Sequence, residues 1–295
     1  MKKIGIVGLG KVGMEYAYSL INSDIKFDEL ILISKNRKRL ESKALDLIHA
    51  LLSLDKHLKI KIGEYNELID ADIVCITAGV PQNIVKESRD DDLEECNKIF
   101  EDIIPNICNS GFKGVYIIAS NPLDVMCRIC LKLAKCNPTK IIGTGTLLDT
   151  NRLFSILGEK YNKSMFDIHG YVLGEHGSTS FVNWSSLNIN VPNNERDEIN
   201  NKVRKIGLEI VEQLGFTAYG VSAALLKITK CIEKDKKELL PVSTYIKDYD
   251  IFISTPSVIG KNGVYENNKV IFDKAEKLEF EKSVNKISEK VKKLK

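Results

Sequence analysis

The chain has 295 residues, 43% of them hydrophobic and 28% charged, and a net charge of +3. That length suits about two domains of ~100–200 residues, and the composition is that of an ordinary soluble globular protein. The small, evenly spread charge argues against a nucleic-acid partner; no apolar run approaches the ~18–20 residues of a membrane span; and Met1-Lys2-Lys3 leads straight into a strand pattern instead of a secretory leader, so a cytoplasmic protein is expected.

Short apolar runs over 4–7, 30–33, 60–62, 73–77, 115–119 and 140–142 predict strands. Between them, periodic stretches near 12–21, 38–52, 91–109 and 123–135 predict helices. Continuous Val/Ile/Leu runs suit strands buried on both faces. Strands alternating with helices imply parallel βαβ units and a doubly wound α/β sheet over residues 1–143. After Gly143 the pattern changes. Residues 149–160, 195–213 and 219–236 read as helices; 168–173, 181–189, 239–246, 251–259 and 264–272 read as strands. Gly260-Lys261-Asn262-Gly263 joins the last two antiparallel strands. A charged amphipathic helix near 274–294 closes the chain. Residues 144–295 are thus expected to form a second, α+β domain.

Gly8-Leu9-Gly10-Lys11-Val12-Gly13 follows the first strand and opens the first helix. In that setting the first glycine permits a tight turn, the second lets the backbone approach a pyrophosphate, and the third lets helix and strand pack closely. A nicotinamide dinucleotide site is expected. The acidic residue that should end the second strand, to hold the adenine ribose, is replaced by Ser34, followed by Lys35, Arg37, Lys38 and Arg39. Ser34 does not repel a 2′-phosphate and the cations attract one, so NADP is possible. The alternative is a serine before a solvated basic helix, with NAD still bound.

Asp149 and Arg152 lie three residues apart, and His176 follows within Gly174-Glu175-His176-Gly177. This group offers an acid/base imidazole, a carboxylate to orient it and a guanidinium to hold an anionic substrate. The seven cysteines suit reduced thiols in the cytosol. Cys127-x-x-Cys130 with Cys136 lacks the further ligands of a zinc site and reads as buried helix cysteines.

Together with Thr77-Ala78-Gly79-Val80-Pro81-Gln82, Ser120-Asn121-Pro122-Leu123-Asp124, Gly143-Thr144-Gly145-Thr146-Leu147-Leu148-Asp149 and Trp184-Ser185, these motifs resemble the L-lactate/malate dehydrogenase superfamily from residue 3 to about 290. The resemblance implies a nicotinamide-dependent L-2-hydroxy acid dehydrogenase with His176 as general acid in reduction and base in oxidation. It implies that Asp149 orients His176, that Arg152 clamps the substrate carboxylate and that Asn121 orients the substrate oxygen. Arg89 matches the lid arginine that polarises the carbonyl. Thr77, Ala78, Gly79 and Asn121 would lie against the cofactor, with Gly8, Gly10, Lys11, Val12, Gly13 and Ser34. A homodimer or homotetramer is implied, with no metal.

Malate-type members carry Arg where this chain has Gln82. A neutral amide leaves the second carboxylate of oxaloacetate unpaired, which disfavours malate. Gln82 matches lactate-type members, and Thr217 matches the residue closing their methyl pocket. Pyruvate and L-lactate are therefore expected, with a fermentative role. The apolar Ile84 and Val85 of the lid, and Phe181-Val182-Asn183-Trp184, also resemble L-2-hydroxyisocaproate dehydrogenases, so a branched-chain 2-oxo acid is the alternative. Phe154 stands where sugar-phosphate-activated members carry Arg, and the stretch from Trp184 to Thr217 is shorter than usual for the family.

Overall fold

The computed structural model describes residues 1–80, 93–268 and 270–294. Its first half is built from β1 (Lys3–Val7), α1 (Lys11–Ile21), β2 (Glu29–Ile33), α2 (Arg37–Ser53), β3 (Lys59–Ile62), β4 (Ile73–Ile76), α3 (Leu93–Asn109), β5 (Val115–Ile118), α4 (Leu123–Ala134) and β6 (Ile141–Gly143). The six strands lie parallel in the order β3-β2-β1-β4-β5-β6. The order reverses between β1 and β4, where ligands bind in doubly wound sheets.

Period-two alternation explains why these runs are apolar throughout. Leu30, Leu32, Ile73, Cys75, Val115 and Ile117 join one core with α1 and α2. Their neighbours Ile31, Ile33, Val74, Ile76, Tyr116 and Ile118 join another with α3 and α4. Strands β1, β2, β4, β5 and β6 bury both faces along most of their length, so both faces favour apolar residues there, whereas the edge strand β3 alternates lysine with isoleucine and has no fully buried residue.

The second half contributes α5 (Leu147–Tyr161), β7 (Tyr171–Leu173), β8 (Phe181–Asn183), α6 (Asn193–Leu214), α7 (Tyr219–Glu233), β9 (Glu238–Ile246), β10 (Ile251–Gly260), β11 (Gly263–Asn267) and α8 (Lys274–Lys292). The antiparallel β9, β10 and β11 extend the parallel sheet through a Gly143–Ser243 pairing, making nine strands. The paired β7 and β8 stand apart and close a third core with α5 and α6. α1 and α7 are joined by hydroxyl contacts, a buried one from Tyr16 to Thr229 and a partly buried one from Ser19 to Ser222, both 2.6 Å. Among the described residues no helix is long and apolar enough to cross a membrane.

Three strands are shorter than their sequence patterns predict. The run at 181–189 stops at Asn183 and turns through Trp184–Ser186, because Glu276 accepts both the Ser185 backbone N–H (2.8 Å) and its hydroxyl (2.7 Å). The run at 168–173 keeps strand pairing only from Tyr171, since the His169 N–H donates to the Asn188 side chain instead of a ladder. The run at 264–272 stops at Asn267, whose side chain bonds Ser257 and the Tyr245 carbonyl. In each case a side chain competes with the ladder for backbone or neighbouring polar groups.

Candidate functional site

A cavity of about 890 Å³ opens at the carboxyl ends of β1, β2, β4 and β5. One end is the loop after β1. Gly8 has φ +96°, and a Cβ there would sit 2.5 Å from the Ala78 nitrogen. A Cβ on Gly13 would sit 2.2 Å from the Gly8 carbonyl oxygen and 2.7 Å from Thr77 Oγ1. A Cβ on Gly10 would meet nothing within 4 Å, so the loop is bare on the cavity side. Two glycines are demanded by packing and one leaves space for a ligand, which is the arrangement a dinucleotide pyrophosphate needs. Lys11, Val12, Ser34, Thr77, Ala78 and Gly79, all named from the sequence as cofactor candidates, line this end of the cavity.

The other end is chemical. Asn121, Arg152, His176 and Thr217 line it. Asp149 and Arg152 come from the first two turns of α5, three residues apart on one face. The N-terminus of α5 is stapled to β7: Thr146 Oγ1 donates to the Val172 carbonyl (2.5 Å) and Thr150 Oγ1 accepts its N–H (3.0 Å). β7 runs directly into the Gly174–Gly177 loop, so the segment carrying Asp149 and the segment carrying His176 are fixed against each other.

Asp149 serves both neighbours. One carboxylate oxygen lies 2.8 Å from His176 Nδ1, and the other accepts from the Arg152 guanidinium at 2.8 Å. Burial would raise its pKa, but the His176 and Arg152 charges and hydrogen bonds outweigh that and hold it below the usual range. An ionised carboxylate only accepts, so the Nδ1–H of His176 donates to it and the ring tautomer is set.

Four residues that sequence reasoning had not assigned support this group. Asp124 Oδ2 accepts the backbone N–H of His176 (2.8 Å), and its other oxygen accepts the Ser243 hydroxyl (2.5 Å). Burial pushes the Asp124 carboxyl up to about 6, although the hydrogen bonds from Ser243 and His176 oppose the rise. Glu175 is ion-paired with Lys290 of α8, both buried, and also accepts from the Thr179 hydroxyl (2.6 Å). A Cβ on Gly207 of α6 would lie 2.9 Å from both terminal nitrogens of Arg152, so this helix comes close over the guanidinium. Three of the four carried a signal: Asp124 is a carboxylate in the apolar run of α4, Lys290 a lysine on the buried stripe of α8, and Gly207 a glycine inside a helix, where it costs about 1 kcal/mol relative to alanine.

Arg37, named with Ser34 for a 2′-phosphate, turns instead to Glu41 (3.6 Å) and Glu64 (3.2 Å) and does not line the cavity. Arg39 and Lys43 do line it. Gln82, Arg89 and the lid positions Asn83, Ile84, Val85 and Lys86 lie outside the described residues. Cys127 and Cys130 are buried within α4, with burial raising both thiols.

Comparison with known proteins agrees with this geometry. Residues 2–143 match the family model of the lactate/malate dehydrogenase NAD-binding domain, and residues 146–295 that of the lactate/malate dehydrogenase alpha/beta C-terminal domain. The chain is 36% identical to an L-lactate dehydrogenase of Borrelia turicatae over 282 residues, 90% of this chain and 89% of that protein. It is 36% identical to an L-lactate dehydrogenase of Halalkalibacterium halodurans over 293 residues, 96% of this chain and 94% of that one. Among solved structures, it superposes on a minor L-lactate dehydrogenase from Enterococcus mundtii with a TM-score of 0.94 at 31% identity, covering 100% of this chain and 98% of that one.

Proposed function

The chain belongs to the lactate/malate dehydrogenase family and is an NAD-dependent 2-hydroxy acid dehydrogenase; on that premise we propose that its reaction is the reversible reduction of pyruvate to L-lactate. The observation that carries this reading is Asp149 held between His176 and Arg152 at the far end of the cofactor cavity.

NAD, when bound, supplies or accepts the hydride. Residues 1–143 hold the dinucleotide through Gly8, Gly10, Gly13 and Thr77–Gly79, and residues 144–295 carry the chemistry. Arg152 fixes the substrate carboxylate with parallel charge-assisted hydrogen bonds. His176 donates a proton from Nε2 to the carbonyl oxygen during reduction and takes it back during oxidation. Asp149 stabilises the protonated ring and fixes its tautomer, as the orienting carboxylate does in other acid–base sites. Asn121 orients the substrate oxygen, and Thr217 borders the substrate side chain. Arg89 polarises the carbonyl, and Gln82 excludes a second carboxylate. For those two residues the support is the family resemblance.

The protein works in the cytoplasm as a homo-oligomer, a dimer or tetramer. Support for self-association comes from α2, where Leu45, Ile48 and Leu52 form one exposed apolar face, with Tyr18 and Tyr219 exposed nearby. Apolar faces of this kind mark contact surfaces, and most soluble oligomers are built from identical chains.

The test is kcat/KM with NADH for pyruvate, oxaloacetate and 2-oxoisocaproate. Pyruvate should be best. Oxaloacetate as the best substrate would overturn the role of Gln82, and 2-oxoisocaproate as the best would move the assignment to branched-chain acids.

A further inference from the structure

We propose that the adenosine end of the cavity is built to take a 2′-phosphate, so that the protein binds NADP(H) at least as readily as NAD(H), with Ser34 and Arg39 setting that choice. The inference rests on the dinucleotide reading above and deepens it.

Ser34 follows β2 directly and lines the cavity. In sheets of this type a carboxylate near this position accepts the ribose hydroxyls and repels a 2′-phosphate, whereas a nearby arginine accommodates the phosphate. Here the side chain is a neutral hydroxyl, which donates to a phosphate oxygen as readily as it accepts from a ribose hydroxyl.

The surrounding charge has the matching sign. Lys11, Lys35, Arg39 and Lys43 line the cavity at this end, and Glu15 is the one carboxylate among the described lining residues. The cations crowd one another. Burial lowers the Lys43 pKa, and the charges of Arg39 and Lys11 lower it further. Lys43 Nζ donates to the Leu9 carbonyl, a neutral partner that leaves its charge uncompensated. Lys35 is largely exposed, with Asp102 4.0 Å away. Arg37 is occupied by Glu41 and Glu64. The structure therefore divides the basic run after β2. Arg37 is neutralised by its own neighbours, while Arg39 and Lys43 face the cavity with no acid beside them among the described residues.

A 2′-phosphate brings close to two negative charges at neutral pH and three acceptor oxygens. It would relieve the repulsion among Arg39, Lys43 and Lys11, and the planar Arg39 guanidinium suits two-point contact with it.

The test is direct binding of NADPH and NADH to the intact protein by isothermal titration, independent of turnover. The expected result is a Kd for NADPH equal to or below that for NADH, with the NADPH value weakening more steeply with salt, since exposed charge pairs are screened. Ser34→Asp should weaken NADPH by about tenfold or more while NADH is held or tightened, and Arg39→Gln should weaken NADPH by about tenfold with little change for NADH. NADPH binding more weakly than NADH in the parent protein overturns the inference and leaves the NAD reading intact. Failure of both dinucleotides to bind overturns both. Because the parent comparison decides the matter alone, a misfolded variant does not rescue it.

Discussion

The Asp124 carboxylate accepts the backbone N–H of His176 at 2.8 Å, across 52 residues of sequence. His176 is thus held at two points by two carboxylates, Asp149 at its ring and Asp124 at its main chain. The two carboxylates titrate in opposite directions. Asp149 has a hydrogen-bonding nitrogen on each oxygen, from the His176 ring and the Arg152 guanidinium, and is held low. Asp124 has only neutral donors, Ser243 and a backbone amide, and burial pushes it up to about 6.

Asp124 should leave a signature in the pH dependence of stability. Its folded-state pKa is raised, so its contribution is complete below the unfolded value near 3.8 and is lost as pH rises through about 6. The rise corresponds to about 3 kcal/mol. Asp124→Asn keeps an acceptor for His176 and offers a donor to Ser243, but does not titrate. Relative to the parent, this variant should gain about 3 kcal/mol between pH 4 and 7 in denaturant unfolding. A difference that stays flat with pH would show that Asp124 is not raised.

Gly207 sets the room above Arg152. Gly207→Ala adds a Cβ 2.9 Å from both terminal guanidinium nitrogens. Helix propensity alone favours alanine by about 1 kcal/mol, so the fold should not suffer from the backbone change. The guanidinium, however, must shift, and small misplacements of a positioning group are costly. KM for the 2-oxo acid should rise about tenfold with NADH binding unchanged. An unaltered KM would mean that Arg152 does not hold substrate from this position.

Arg152→Lys removes the planar fork but keeps a positive charge. A lost charge-assisted contact is worth about 1.5–3 kcal/mol, so kcat/KM should fall roughly 10–100-fold. Steady-state kinetics with pyruvate will show this, and parity with the parent would argue against a two-point clamp.

Lys290 lies far from the cavity in sequence but grips Glu175, the neighbour of His176. Lys290→Ala leaves a buried carboxylate uncompensated, which costs about 3–5 kcal/mol. Chemical denaturation should show a loss of that order. A loss below about 1 kcal/mol would place the pair among surface ion pairs of little consequence.

The first half of the fold was legible because its inner strands bury both faces, and unbroken Val/Ile/Leu runs of four or five residues, bounded by turn residues, suit a buried strand by their length and flanks. The glycine loop was legible for a similar reason, since Gly8 and Gly13 occupy places where a Cβ collides with backbone. The second half was less legible. Glu276 ends a strand at Ser185, and Asn188 and Asn267 draw backbone and side-chain groups away from ladders. None of these partners is near in sequence to the group it captures. The same holds in the site. His176, Asp149 and Arg152 could be read from residue type and spacing. That one carboxylate holds both the imidazole and the guanidinium, and that Asp124, Gly207 and Lys290 hold the frame, depends on contacts between segments that sequence does not juxtapose. Arg37 shows the converse, a cation that looks functional in the sequence and is neutralised locally by Glu41 and Glu64.

The most direct test concerns His176 as the proton carrier. His176→Asn should be measured for pyruvate reduction with NADH, alongside NADH binding. A general acid contributes about 10²–10⁴-fold, so kcat should fall by that factor while the dinucleotide still binds. A variant that retains kcat within about tenfold of the parent would contradict the assignment of His176, and with it the account of the site.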